Sequence, residues 1–133
     1  MLRPGACDLP YYPDFQHWGY DHDYIFHPLS LSWGHITTEI NAGQPFIFSW
    51  TPSSGSASGN PLAIQTTQPP DVSHMLVAAG YGTDPVSGVE VIIVLDPNPF
   101  FQTQVAMVPF ADYNGTSGNY THFEDYFNIR PQN

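Results

Sequence analysis

The stretch SHMLVAAGYGTDPVSGVEVIIVLDP, residues 73–97, decides the fold of this chain. It holds two runs of mainly apolar, partly β-branched residues, at 75–81 and 90–95. The segment between them contains glycines and an Asp-Pro step. This pattern predicts an antiparallel β-hairpin whose loop is longer than two residues.

Two polar side chains stand at the open end of this hairpin. If Pro85 is the centre of the turn, His74 and Asp96 are equidistant from it and face each other across the pair. An imidazole that is oriented by a carboxylate at a strand terminus can serve as a general base. On geometry alone, two solvated groups that cap the hairpin are the competing interpretation.

The residues before the hairpin predict a helix and a further strand. Trp33, Ile36 and Ile40 fall on one helical face, and Ser32 is a good N-cap in front of them. The aromatic and branched residues at 45–50 then favour a strand. A helix packed on the sheet is the simplest arrangement that buries both apolar surfaces.

The rest of the chain is less regular. Residues 51–72 form a long polar loop that is an insertion or a functional loop, 107–110 predict a short strand, and 120–129 fit a strand or a helix. We expect one α+β domain: an irregular aromatic and Pro-rich segment at 1–31, then a sheet domain at 32–133. One main helix packs there on an antiparallel sheet of three to five strands.

The composition excludes several classes of partner. Hydrophobic residues make up 41% of the 133 residues, which is enough for one core. The formal net charge is -10, and Arg3 and Arg130 are the only basic side chains apart from histidine. Nucleic acids and anionic membranes attract Lys and Arg, so neither is an expected partner. No apolar run approaches the roughly 20 residues that a membrane helix needs.

Location and modification are predicted from composition and short motifs. Low charge density with many Ser, Thr, Asn and Pro residues favours an extracellular or cell-surface protein. Cys7 is the single cysteine, so no intrachain disulfide is possible, and the first residues do not resemble a signal peptide. The sequons at Asn114 and Asn119 would accept glycans in an exported chain.

In order and spacing, residues 28–97 resemble the papain-like cysteine peptidases of the bacteriocin-processing, double-glycine branch. The motifs are Leu-Ser-Trp at 31–33, Glu-Ile-Asn-Ala-Gly-Gln-Pro at 39–45, His-Met-Leu-Val-Ala-Ala-Gly-Tyr at 74–81 and Asp-Pro at 96–97. The segment at 7–20 also resembles the stretch before this helix in some members. The resemblance implies a papain-like half-domain in which His74 is the base and Asp96 is the orienting residue.

The nucleophile of that family has no counterpart here. Members carry the cysteine at the start of a helix well upstream of the Leu-Ser-Trp element, where the helix terminus and an imidazolium favour the thiolate. Cys7 falls in the connecting segment, Asp8 beside it opposes thiolate formation, and no helical period follows. We therefore expect Cys7 not to be catalytic, which leaves open whether the chain is an enzyme.

A group of histidines in the first segment is a weaker candidate for a site. His17, His22 and His27 recur every five residues, with Asp21 and Asp23 between them. Imidazole and carboxylate ligands suit a transition metal, but this period fits neither a helix nor a strand. Solvated histidines among aromatic residues are the better interpretation, and we predict no metal and no cofactor.

Two functions follow. The first is the C-terminal part of a thiol peptidase domain that has its nucleophile outside this chain. The second is a non-catalytic, peptidase-like subunit for binding or assembly. Either function implies a peptide or protein partner. We expect the chain to form a homo-oligomer or to associate with an N-terminal part that this sequence does not include. Without a nucleophile helix, residues such as Val77, Ile92 and Val94 are expected near exposed surface.

Overall fold

The computed structural model describes residues 14–52, 74–96 and 105–132. Within these ranges the elements in chain order are β1 (Tyr20–Phe26), α1 (Trp33–Asn41), β2 (Phe46–Pro52), β3 (His74–Thr83), β4 (Glu90–Leu95), β5 (Val105–Pro109), α2 (Phe110–Tyr113) and β6 (Tyr120–Pro131).

All strands described here belong to one six-stranded antiparallel sheet in the order β1-β6-β2-β3-β4-β5. The final strand, β6, lies between β1 and β2 and makes the sheet continuous. The fold is therefore mixed, with helices and a mainly antiparallel sheet. The predicted number of strands, three to five, is wrong. Part of the segment at 1–31 forms β1, and residues 120–129 belong to a strand.

Helix α1 begins where its sequence predicts. The Ser32 side chain accepts a hydrogen bond of 3.1 Å from the His35 backbone N–H, which satisfies one free donor of the first turn. Ile36 is fully buried, while Trp33 and Ile40 pack against the core from its margin. Neither described helix is long and apolar enough to cross a membrane.

The core lies on the face of the sheet that α1 and α2 cover. Its fully buried side chains include Phe46, Phe48 and Trp50 of β2. Ile92 and Val94 are also 0% exposed there, so the expectation that they lie near exposed surface is wrong. They alternate with Ile93 and therefore point toward the helices, where side chains already cover them.

The opposite face of the sheet exposes apolar side chains near one edge. Leu95, Val105 and Met107 are 42%, 54% and 47% exposed. Leu95 is the register partner of Val105, so the exposed side chains lie beside one another on neighbouring strands. This group is called the apolar edge below.

The central hairpin contains an irregularity that matters for the site. On one side Ala78 pairs with Val94, and on the other side Gly80 pairs with Ile93. Ala79 is therefore one extra residue in β3, a β-bulge. Directly opposed residues on paired strands point to the same face of the sheet. The extra residue therefore moves the side chains at the beginning of β3, before Ala79, to the face opposite the one that a regular strand would give them.

We expect deletion of Ala79 to destabilise the domain by about 3 kcal/mol. Without the bulge, the chain must either turn the buried Leu76 and Ala78 to the other face or distort the loop. Urea denaturation measures the loss. Ala79→Ser is the control, because this exposed position keeps its extra residue. An unchanged denaturation midpoint in the deletion variant would contradict the role of the bulge.

Candidate functional site

His74 and Asp96 lie side by side, as the sequence predicts. His74 is the first residue of β3, and Asp96 follows the last residue of β4. The His74 Nε2 and Asp96 Oδ2 atoms are 2.9 Å apart, and the two side chains are 10% and 1% exposed. The alternative of two solvated capping groups is therefore wrong for this pair.

The route to this contact differs from the predicted one. Thr83 pairs with Glu90, so the turn is centred beyond Pro85, and Asp96 is not directly opposite His74. The bulge at Ala79 restores the common face, and diagonal neighbours on one face are within reach of long side chains. The contact was predicted from a symmetry that the hairpin does not have.

The pair has a defined chemistry. When Nε2 donates its hydrogen to Asp96, Nδ1 is the nitrogen that can take a proton from another group. A carboxylate in this position holds the ring in one tautomer and stabilises the imidazolium that forms. The geometry suits a general base that meets its partner through Nδ1.

A second histidine–aspartate pair lies deeper in the same face. His122 Nε2 and Asp125 Oδ2 are 2.7 Å apart, and the side chains are 3% and 0% exposed. Tyr113 donates a 2.6 Å hydrogen bond to the other oxygen of Asp125, and the Leu31 backbone N–H donates to the Tyr113 hydroxyl. This network connects α2, β6 and the segment before α1.

The spacing of His122 and Asp125 in the sequence does not reveal this pair, for a physical reason. Residues three apart in a regular strand point to opposite faces. Ser49 and Trp50 are neighbours on β2, but their partners on β6 are Glu124 and His122. Phe123 is therefore an extra residue in β6. That bulge brings His122 onto the same face as Asp125. The one signal in the sequence was that residues 120–129 fit a strand or a helix equally well.

Burial controls the ionisation of two tyrosines near the network. Burial, reinforced by the Asp125 carboxylate, raises the pKa of Tyr113 far above its ordinary value. Burial, reinforced by the Asp112 carboxylate, raises the pKa of Tyr120 to about 12. Both hydroxyls therefore keep their protons throughout the neutral range.

The three histidines of the first segment have separate environments. The His17 ring packs edge-on against Trp18, and the His22 ring contacts Phe15. His27 Nδ1 is 3.1 Å from the backbone carbonyl oxygen of His122. In the described ranges, no group of three or more potential ligands is close enough to hold a metal.

Other residues singled out in the sequence are partly described. Cys7, the loop at 53–73 and Pro97 lie outside the described residues. Asn114 accepts hydrogen bonds from the backbone N–H and hydroxyl of Thr116, whereas the Asn119 side chain donates to Asp112. Glycosylation of the two sequons stays a prediction.

Comparisons of this chain with family models, with curated proteins and with solved structures found no match.

The buried tyrosines predict a fall in stability at alkaline pH. Each hydroxyl has a folded-state pKa above its unfolded value of about 10, so its stabilisation is complete below that pH. Above pH 10, the free energy of unfolding should decrease by about 1.4 kcal/mol per pH unit per buried tyrosine. Urea denaturation between pH 9 and 11.5 measures the slope.

Two variants test the assignment of this slope. Tyr113→Phe should make the slope shallower, whereas Tyr20→Phe should not, because Tyr20 is 42% exposed. The chain contains no lysine to titrate in the same range. A stability that stays constant up to pH 11.5 would contradict the prediction.

Proposed function

We propose that this domain is the His- and Asp-bearing part of a papain-like thiol peptidase, in which His74 is the base and Asp96 orients it. The observation that carries the proposal is the 2.9 Å contact between His74 Nε2 and Asp96 Oδ2 at the margin of the core. Both residues of the pair lie in motifs that resemble this family, at 74–81 and at 96–97.

The exposure of the two histidines favours His74 over His122. A base must reach a group that arrives from outside, and the side chain of His74 is 10% exposed. His122 is 3% exposed and its carboxylate partner is fully buried. His74 is therefore the better candidate for proton transfer to a substrate.

In this proposal the thiol comes from polypeptide outside this chain. The thiol proton moves to His74 Nδ1, and the thiolate attacks the carbonyl carbon of the scissile peptide bond. The imidazolium returns the proton to the leaving amine, and water hydrolyses the acyl-thiol intermediate. Asp96 holds the ring throughout these steps.

A thiol-directed epoxysuccinyl peptide tests the proposal. In the parent polypeptide, with any residues encoded before Met1, we expect the probe to label a cysteine upstream of Met1. His74→Ala should slow labelling by about 100-fold, because the thiol then lacks its base. Mass spectrometry of the labelled peptide identifies the cysteine and measures the rate.

The controls separate the site from the rest of the chain. His17→Ala changes an exposed histidine, so the probe should label the upstream cysteine of this variant at the normal rate. The isolated 133-residue chain should not label rapidly at Cys7. Rapid labelling of Cys7 that depends on His74, or a parent reading frame without an upstream cysteine, would contradict the proposal.

The apolar edge favours the second function, a non-catalytic subunit for binding or assembly. Leu95, Val105 and Met107 are each more than 40% exposed beside one another. Contiguous exposed apolar surface is typical of protein interfaces. In this alternative the chain associates with copies of itself through that face.

Light scattering at micromolar concentration tests self-association. We expect a mass above the 14.8 kDa of one chain. Val105→Glu should reduce that mass because it places a charge in the apolar edge. Val86→Glu, at a turn position that is 94% exposed, is the matched control. A monodisperse monomer would exclude assembly through this face.

A further inference from the structure

We propose that His122 is a positioning residue of the His74 site: through Trp50, it keeps the His74 ring in the orientation that meets Asp96. This inference rests on the proposed function, because it assigns His122 a task in the same site. His122 would not contact the substrate.

The strand registers place the three residues in one row across the sheet. Trp50 of β2 is the register partner of His74 on β3 and of His122 on β6. Adjacent strands are about 4.8 Å apart, so the backbones of the two histidines are about 10 Å apart across the sheet. Opposed residues share a face, and Trp50 therefore lies between the two imidazoles.

His122 is fixed at one end of the row. Its Nε2 atom bonds to Asp125, which also accepts the hydroxyl hydrogen of Tyr113. Its Nδ1 atom is buried and has no hydrogen-bond partner. The contact with Asp125 and the edge-on packing of the Tyr113 ring at 4.6 Å together hold this ring.

Trp50 transmits that orientation because packing alone holds its ring. The indole Nε1 is buried and has no hydrogen-bond partner. The ring stacks on Tyr120 at 3.8 Å and meets the Phe48 ring edge-on at 5.5 Å. Phe48 in turn stacks against His122 at 6.1 Å, so removal of the imidazole takes one packing partner from Phe48, which is the ring that meets Trp50 edge-on.

Core stability alone does not account for the second pair. A buried hydrogen-bonded pair is often no more stabilising than apolar side chains of the same shape. The pair also requires the bulge at Phe123, and bulges are common beside active sites, where they redirect a side chain. Both features are expected if His122 serves the neighbouring site.

The tautomer of His74 is the readout, measured from the ¹⁵N chemical shifts of its ring nitrogens in the 133-residue chain. In the native protein, Nε2 should carry the hydrogen that is donated to Asp96. In His122→Ala, a second tautomer should become populated, because Trp50 no longer restricts the His74 ring. His122→Gln retains an N–H donor toward Asp125 and part of the side-chain volume, so the second tautomer should be less populated than in His122→Ala.

Val108→Ala is the matched control for a general loss of packing. Val108 is fully buried on β5, three strands from Trp50, and its truncation should leave the His74 tautomer unchanged. If His122→Ala does not fold, Tyr113→Phe removes one hydrogen bond from Asp125 and keeps the ring. It should produce the same change at lower amplitude.

Two outcomes overturn the inference. A His74 spectrum that stays native in the His122 variant, or in Tyr113→Phe if that variant is used, would exclude positioning through Trp50. An equal change in Val108→Ala would show a general effect of packing. Failure of the proposed function looks different: thiol labelling would then be independent of His74 while the tautomer still responded to His122.

Discussion

Side chains alternate between the two faces of a β-strand, and the site of this protein depends on two exceptions to that rule. A histidine and an aspartate can meet only if the register gives them a common face. Ala79 supplies the shift for His74, and Phe123 supplies it for His122. Each pair therefore exists because one extra residue interrupts a strand.

The same arrangement explains how an acidic chain buries carboxylates. Among the described residues, Asp96, Asp112 and Asp125 are almost fully buried, although Arg130 is the one arginine there. Histidine, tyrosine and asparagine side chains donate the hydrogen bonds. Neutral and titratable donors replace the cations that usually satisfy buried acids. Hydrogen bonds, and not ion pairs with arginine, therefore offset the free-energy cost of burying these aspartates.

The two faces of the sheet have different properties, and each corresponds to one proposed function. The helix-covered face holds the aromatic core and both histidines, with His74 at its margin. The other face ends in the apolar edge around Val105. A peptidase function uses the first face and an assembly function uses the second. The two proposals therefore predict effects at residues that do not overlap.

The sequence by itself determined the local elements, and it predicted one of the two pairs through a turn symmetry that the hairpin does not have. Turn residues, an N-cap at Ser32 and branched runs predict the hairpin and α1, because these signals act over a few positions. The structure decided the rest: the sixth strand, the position of β6 between β1 and β2, and the pair His122 and Asp125. A bulge depends on pairing between distant strands, so the spacing of residues along the chain does not show which side chains share a face.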